Sequence, residues 1–280
     1  MFPKFSLAMI SVPALCLGMI LTGCGSSGGS GKSGSSTSNL GLITPGVLTV
    51  GSDTSYPPME YASPGHPGTY IGADVDLAKA LAKAMGLKSA KIVSGNFDTL
   101  ITSLQAKRYD VIMSSMNDTK ARAQQVSFVD YMTAREGVLV KKSSSIHGNN
   151  YQAFCGDTVS VERGTTELMG LDQADSSCGS KKINIQSYPA DSDAFQAFNS
   201  GHANVYTSDL PVVAYYIKQH PTEFRLAGKA ISASANYGIA LRKGNNALKH
   251  ALQKALTKIR SNGTYTKILQ KWGVGDAALK

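Results

Sequence analysis

The chain contains 280 residues, of which 17% are charged, and carries a formal net charge of +9. A basic protein can bind nucleic acid, but here the lysines are scattered along the chain rather than interleaved with aromatic residues on one face, which argues against that partner. Beyond the N-terminus no stretch reaches the roughly 18 apolar residues of a bilayer-spanning helix, which argues against an integral membrane protein.

The N-terminus has the pattern of an export signal. Lys4 precedes an apolar stretch at 5–21 that contains Pro13 and ends in Leu-Thr-Gly-Cys at 21–24. This pattern predicts a lipoprotein signal peptide at 1–23, with Cys24 as the lipidated N-terminus of the mature chain. Two or three acyl chains retain a protein at a membrane far better than one. The predicted location is therefore the outer face of the cytoplasmic membrane, outside the compartment of nucleic acids.

Residues 24–45 are predicted to form a flexible linker. Between 25 and 39 the chain is almost entirely Gly, Ser and Thr, a composition that cannot bury a core. Without residues 1–23, whose one charged side chain is Lys4, the net charge becomes +8. This charge lies against anionic lipid or wall polymers, or belongs to a solvated surface.

From residue 46 onward, short strand patterns alternate with helical patterns. In the first half, strands are predicted at 47–51, 91–93 and 111–113, and helices at 74–85 and 98–107. The alternation restarts with strands at 135–141, 158–161, 183–188 and 203–206, and helices at 165–171, 191–199 and 210–218. A strand at 236–241 and helices at 246–260 and 264–272 follow. The same small α/β unit is therefore predicted twice.

A return of the C-terminal part to the first unit would produce two connected lobes. The final helices have an apolar face of Leu248, Leu252, Leu256 and Ile259 that needs a sheet to cover it. We therefore predict lobe 1 at 46–138 plus 235–280 and lobe 2 at 139–234. Two connecting strands, near 136–141 and 228–237, would form a hinge.

Of the four cysteines, Cys16 leaves with the signal and Cys24 takes the lipid. Cys155 and Cys178 remain as thiols in an oxidising compartment, so a disulfide between them is predicted. A catalytic thiol is the weaker alternative, because the spacing is not Cys-x-x-Cys and no histidine partner is evident.

The segment at 109–122 suits the capture of a small carboxylate. A buried-looking strand leads into the hydroxyl-rich turn at 114–119, which offers helix N-cap chemistry and free backbone N–H groups. Arg122, one turn later, could hold a carboxylate with two parallel hydrogen bonds. The alternative is an ordinary surface arginine after a turn.

Six segments in register carry a resemblance to a known family. They are VGSDTSYPPME at 50–60, IGADVDLA at 71–78, FDTL at 97–100, YDVIMSSMNDTKAR at 109–122, GTTE at 164–167 and YTSDLP at 206–211. From 46 to 273 the chain resembles the polar-amino-acid-binding proteins of ABC importers, the solute-binding family that includes the glutamine-, histidine- and lysine/arginine/ornithine-binding proteins. The resemblance implies an α/β, two-lobed, type II periplasmic-binding fold in which each lobe is a central sheet flanked by helices. It also implies a two-strand hinge.

The resemblance further implies a ligand site between the lobes. Arg122 with Ser115 and Asn117 matches the positions that hold the ligand α-carboxylate, Thr165 closes over it, and Asp209 holds the α-ammonium. The other predicted ligand-binding residues are the aromatic walls Tyr56 and Phe97, and Thr166. Four residues, Asp53, Ser114, Glu162 and Glu167, occupy neighbouring positions that could read the tip of the ligand side chain. The implied partners are a free amino acid, a membrane permease and its ATPase. The protein would be a monomer without catalytic residues, metal or cofactor.

Each of these roles has a structural alternative. Tyr56 and Phe97 fit plain core aromatics, Asp209 fits a helix cap, and Glu167 fits the first turn of a helix. Asn117 and Asp118 depart from the hydroxyl and apolar residues commoner in the family.

Glu167 stands where glutamine or alanine is commoner, which favours a basic or polar amino acid as ligand. A competing interpretation is a cyclohexadienyl (prephenate or arogenate) dehydratase on the same fold, with Glu167 near its acid. No Gly-x-Ser-x-Gly, His-Glu-x-x-His or metal-spaced histidines accompany it.

Overall fold

The structure, a computed structural model, describes residues 40–232 and 235–279. The predicted signal peptide at 1–23, the lipidation site Cys24 and most of the predicted linker at 24–45 lie outside these residues. Within the described ranges, no helix has both the length and the apolar character needed to cross a bilayer.

The described residues form fourteen strands and eight α-helices. The strands are β1 (Val47–Ser52), β2 (Ser55–Tyr56), β3 (Glu60–Ala62), β4 (Tyr70–Ile71), β5 (Ser89–Ser94), β6 (Val111–Ile112), β7 (Val126–Met132), β8 (Arg135–Lys141), β9 (Thr158–Glu162), β10 (Asn184–Tyr188), β11 (Val205–Asp209), β12 (Phe224–Leu226), β13 (Ile231–Ser232) and β14 (Tyr237–Arg242). The helices are α1 (Ala73–Ala84), α2 (Leu100–Gln105), α3 (Lys120–Ala123), α4 (Thr166–Ser176), α5 (Asp191–Asn199), α6 (Leu210–Gln219), α7 (Asn246–Ser261) and α8 (Thr264–Lys271).

Two central sheets share one plan. The first has the order β5-β1-β6-β14-β7 and the second the order β10-β9-β11-β8-β12, with β13 beside β8. In each sheet the first three strands are parallel, and the fourth runs antiparallel to both its neighbours. A small sheet, β2-β3-β4, joins the first lobe. The predicted α/β, two-lobed fold with a repeated unit is therefore confirmed.

The chain crosses between the two sheets twice. It leaves the first sheet after Met132 at the end of β7 and enters the second at Arg135. It returns between Ser232 and Tyr237. The lobe boundaries at 138 and 234 stay predictions; residue 138 falls within β8, which pairs with β11 from Glu136 onward.

Helices cover the first sheet with the faces that the sequence pattern indicated. In α7 the side chains of Leu248, Leu252, Leu256 and Ile259 are buried. They share one apolar core with Leu77 and Leu81 of α1 and with Leu48 and Val50 of β1. Burial of each such side chain stabilises the fold by about 1.5–3 kcal/mol.

Gly72, just before α1, permits a close approach of two backbone segments. Its φ is 137°, and a Cβ there would lie 2.1 Å from the carbonyl oxygen of Met59. Only glycine fits, because any side chain would clash with that backbone oxygen. This contact fixes the start of α1 and therefore the position of Asp74, which supports the site described below.

The predicted disulfide between Cys155 and Cys178 is present, with the two Cα atoms 5.5 Å apart and a sequence separation of 23. It ties the turn after the short 3₁₀ helix Tyr151–Phe154 to the residues after α4.

Replacing both cysteines with serine is expected to lower the free energy of unfolding by about 3.5 kcal/mol, because the bond restricts the unfolded chain. Urea unfolding of the two proteins measures the difference. The wild-type protein under reducing conditions is the matched control and should lose a similar amount. Equal urea midpoints for the oxidised and serine proteins would contradict this expectation.

Candidate functional site

A small cavity lies between the two lobes. It is lined by Asp53, Tyr56, Glu60, Phe97, Ser114, Ser115, Asn117, Glu162, Thr165, Glu167 and Asp209. Several of these residues end or directly follow the parallel strands β1, β6, β9 and β11, where open α/β sheets bind their ligands. The structure thus brings together ten of the twelve residues that the sequence interpretation named for the site, Glu162 among them, and adds Glu60; Arg122 and Thr166 do not line the cavity.

The turn after β6 is held by buried hydrogen bonds. Ser114 Oγ donates to Glu60 Oε1 at 2.8 Å and accepts from the backbone N–H of Asp53 at 2.9 Å. Ser115 has a φ of 45°, and its backbone N–H donates to Asp74 Oδ2 at 2.9 Å. The left-handed conformation is uncommon for a serine and is stabilised by these bonds. Its own Oγ is buried and has no partner in the described structure.

The second lobe presents the N-terminus of α4 to the cavity. Thr165 caps this helix, because its Oγ1 accepts from the backbone N–H of Leu168 at 3.3 Å. The helix has 11 residues, and its first turn holds the buried Glu167. A helix N-terminus favours a carboxylate through its free N–H groups and its dipole. Thr166, in the same turn, donates from Oγ1 to Asn117 Oδ1 across the cleft at 3.3 Å.

Asp209 meets Tyr56 across the cleft. Tyr56 OH donates to Asp209 Oδ2 at 2.8 Å and accepts from the backbone N–H of Asp209 at 3.1 Å. Asp209 precedes α6 but makes no side-chain cap bond to it. Its Oδ1 is buried without a hydrogen-bond partner in the described structure. A simple capping role does not account for this geometry, whereas a free carboxylate oxygen can accept from a ligand.

Arg122 bridges the two lobes next to the cavity. It donates from Nη1 to Asn117 O at 3.0 Å and from Nη2 to Gly164 O, in the opposite lobe, at 2.9 Å. Its guanidinium lies 5.2 Å from the centre of the Phe97 ring. Burial lowers the pKa of Arg122, while Glu167 and Asp209 act in the opposite direction. A buried planar cation thus faces the cleft, and its role as carboxylate anchor stays a prediction.

Buried carboxyl groups dominate the electrostatics of the site. Burial raises the pKa of Asp209 to about 7 and the pKa values of Glu162 and Glu167 well above the ordinary range. One oxygen of each of these three groups is buried without a hydrogen-bond partner in the described structure. Buried acceptors without partners are costly, so the cavity suits a ligand with several N–H donors and positive charge.

Further contacts join the lobes around the cavity. Arg163 Nε lies 2.8 Å from Asp98 Oδ2, and Ser55 Oγ accepts from the backbone N–H of Asp191 at 3.2 Å. A Cβ added to Gly164 would lie 2.9 Å from Cβ of Asp98. The backbone of Gly164 in the second lobe therefore packs directly against the side chain of Asp98 in the first. These contacts belong to a closed arrangement of the two lobes.

The sequence interpretation missed Glu60. The segment Tyr56-Pro-Pro-Met-Glu60 folds back on itself, so that β2 and β3 pair with Tyr56 opposite Glu60. Two prolines between two short strand-forming runs are a turn signal. That signal places residue 60 beside the predicted aromatic wall, and Glu60 is fully buried there.

Two curated relatives illustrate the similarity in sequence. The chain is 31% identical over 235 residues to the histidine-binding periplasmic protein of Salmonella typhimurium, covering 81% of this chain and 88% of the relative. It is 30% identical over 282 residues to the ABC transporter glutamine-binding protein GlnH of Bacillus subtilis, covering 98% of both chains.

Solved structures show the same similarity in fold. An ancestral arginine-binding protein bound to arginine superposes with a TM-score of 0.75 at 32% identity, covering 81% of this chain and 98% of that one. An ancestral amino acid-binding protein described as a precursor of cyclohexadienyl dehydratase superposes with a TM-score of 0.69 at 32% identity, covering 81% and 95%.

The match to a family profile covers most of the chain. Residues 48–275 match the profile described as bacterial extracellular solute-binding proteins, family 3. This range contains every residue that lines the cavity and, apart from Val47 at the start of β1, both central sheets. The chain belongs to the bacterial extracellular solute-binding proteins, family 3.

Proposed function

We propose that this protein captures a free amino acid with a basic or polar side chain between its lobes and delivers it to the permease of an ABC importer. The observation that carries the proposal is the set of buried carboxyl oxygens without partners on Glu162, Glu167 and Asp209 around one cavity. An amino acid with a cationic side chain brings two positively charged groups to meet them.

Each end of the ligand has its own group of residues. Asp209, hydrogen-bonded to Tyr56, receives the α-ammonium on its free Oδ1. The α-carboxylate lies near Arg122, the hydroxyl of Ser115 and the N-terminus of α4 at Thr165. Asp53, Ser114, Glu162 and Glu167 read the side chain between the walls Tyr56 and Phe97, and Asn117 and Thr166 join the lobes beside it.

Binding energy drives closure of the lobes, because a ligand that contacts both lobes stabilises the closed state over the open one. A micromolar dissociation constant corresponds to ~8 kcal/mol. Three or four charge-assisted bonds of ~1.5–3 kcal/mol each supply that amount after ordering losses. The closed monomer, anchored by lipid on Cys24 at the outer face of the cytoplasmic membrane, then docks on the permease, whose ATPase drives import.

The second candidate function is a cyclohexadienyl dehydratase. Burial and Asp209 raise the pKa of the buried Glu167, which is the direction that a general acid needs. The lining of the cavity argues against this function. An anionic substrate would lie against four further carboxyl groups, those of Asp53, Glu60, Glu162 and Asp209. The carboxyl-rich lining favours the amino-acid receptor.

Isothermal calorimetry on residues 40–280 against the common amino acids, with prephenate and arogenate followed for product formation, tests the proposal. We expect saturable binding of at least one basic or polar amino acid at micromolar affinity. Absence of amino-acid binding together with dehydration of a cyclohexadienyl acid would assign the protein to the enzyme class instead.

A further inference from the structure

Two carboxyl groups from opposite lobes meet at one end of the cavity. Asp53 follows β1 in the first lobe and Glu162 ends β9 in the second, and their exposed fractions are 4% and 2%. After burial, the charge of Asp53 is the main cause that raises the pKa of Glu162, so the two groups lie close to each other. Both line the cavity, so a ligand side chain at this end lies against the pair.

The partners of the two groups show where a shared proton resides. Asp53 Oδ1 accepts from Ser55 N at 2.9 Å and from Ser55 Oγ at 2.6 Å, and its Oδ2 accepts from Phe97 N at 3.2 Å. Oε1 of Glu162 has no partner in the described structure. Asp53 is therefore the charged member, held by three donors, and Glu162 carries the proton that joins them.

Other charged groups surround the pair. Asp191 and Glu167 act on Glu162, and Glu60 and Asp191 lie near Asp53. Glu167 in turn has Asp209, Glu136 and Arg122 as charged neighbours. Burial and Asp53 raise the pKa of Glu162 well above its ordinary value. Within residues 40–232 and 235–279, no Lys, Arg or His nitrogen lies within 4.0 Å of either carboxyl of the pair.

Closure is what creates the contact, because the two residues belong to different lobes and separate when the cleft opens. Two ionised carboxylates in contact and out of water repel strongly, so the closed pair needs one positive charge. On the basis of the proposed function, we infer that the Asp53–Glu162 pair makes this charge a condition of closure, supplied either by a cationic ligand side chain or by a proton bound together with a neutral ligand.

The sign of the pH dependence follows from linkage. Glu162 is ionised above about pH 4.3 in the solvated open cleft and holds a proton in a closed cleft with a neutral ligand. Closure on a neutral ligand therefore takes up a proton, and affinity falls up to about tenfold per pH unit between the open-state and closed-state pKa values. A cationic ligand side chain takes the place of the proton, so the affinity for such a ligand does not fall with pH in this way.

L-Arginine and L-citrulline separate the cationic case from the neutral case. The side chain of arginine ends in a charged guanidinium group, whereas that of citrulline ends in an uncharged ureido group of similar shape. Calorimetry at pH 5.5, 6.5 and 7.5, in two buffers of different ionisation enthalpy, gives the affinities and the protons taken up. We expect the arginine-to-citrulline affinity ratio to rise by up to about 100-fold over these two pH units, with up to one more proton taken up with citrulline. Closure can also bind protons at other buried carboxyl groups, namely Asp74, Asp191, Glu60 and Asp209. These protons are bound with either ligand, so they cancel in the arginine-to-citrulline affinity ratio.

Two variants assign the slope to the pair. In Glu162→Gln the side-chain amide is uncharged and can donate an N–H to Asp53, so closure needs no proton from solution. The arginine-to-citrulline affinity ratio should then be independent of pH. Glu162→Met, which cannot hydrogen-bond, should also remove the slope and serves if the first variant folds poorly. Glu136→Gln is the matched control, since it removes a buried carboxyl of the second lobe that does not line the cavity and should keep the slope.

The outcomes separate this inference from the proposed function. Binding of arginine with a pH-independent ratio in the wild-type protein, or an unchanged slope in Glu162→Gln, overturns the inference and leaves the amino-acid receptor standing. Binding of neither ligand at any pH overturns the inference as well, and the calorimetric survey of all amino acids then decides the proposed function.

Discussion

Asp209→Asn is expected to weaken amino-acid binding by more than about 100-fold. The substitution keeps the shape of the side chain but removes the charge that pairs with the ligand α-ammonium in a buried site. Removing one partner of a buried charge pair costs about 3–5 kcal/mol, because the other charge stays buried and unpaired. Calorimetric titration of wild type and variant with the same amino acid measures the ratio of dissociation constants.

Asp191→Asn is the matched control for this experiment. Asp191 is also a fully buried aspartate of the second lobe, and burial raises its pKa to about 7, as it does for Asp209. Its oxygens accept from Tyr206 OH and Ser208 Oγ, and it does not line the cavity. This variant should lose stability with little change in affinity. Equal losses of affinity in both variants would refute the ammonium role of Asp209.

Arg122→Ala is expected to reduce affinity by about three orders of magnitude or more while the protein stays folded. The substitution removes the cation beside the predicted α-carboxylate site and also the bond from Nη2 to Gly164 O that joins the lobes. Loss of a charge-assisted pair in a buried site accounts for about 3–5 kcal/mol. Calorimetry gives the affinity, and circular dichroism with thermal unfolding reports whether the fold is intact.

Arg225→Ala provides a comparison of the same chemistry away from the cavity. The Arg225 guanidinium also donates to backbone carbonyls, those of Ser144, Ile146 and Leu226 in the second lobe. We expect lower stability and unchanged affinity. Retained binding in Arg122→Ala, or an equal loss in Arg225→Ala, would contradict an anchoring role for Arg122.

The sequence predicted the elements whose signals are local and periodic. The apolar face of α7 follows from residue spacing and is present. The helix predicted at 165–171 is α4, which begins one residue later, because Thr165 is its cap, and which continues to Ser176. The helix predicted at 98–107 is shorter in the structure, with a 3₁₀ turn at Phe97–Thr99 followed by α2. Lys107 has a φ of 58°, and this left-handed residue ends the helical run in a way that composition does not reveal.

The parts of the site that depend on the meeting of lobes were harder to predict. The resemblance indicated the neighbourhood of Glu162, but its contact with Asp53 depends on how far two distant strands close on each other. Arg122 shows the same limit, because its bond to Gly164 exists only across the cleft. The spacing of residues along the chain carries no information on distances between the two lobes. A local turn is different, because the turn between Tyr56 and Glu60 can be read from the sequence and brings these two residues together.

The sheet order of the first lobe sets the sequence of events during biosynthesis. Strand β7 pairs in its sheet only with β14, which is inserted between β6 and β7 and is made more than a hundred residues later. The second sheet, by contrast, is built from one continuous stretch between β8 and β13. As the chain emerges N-terminus first, the second lobe can fold while the first still waits for its final strand. Synthesis must therefore be nearly complete before both walls of the cleft exist.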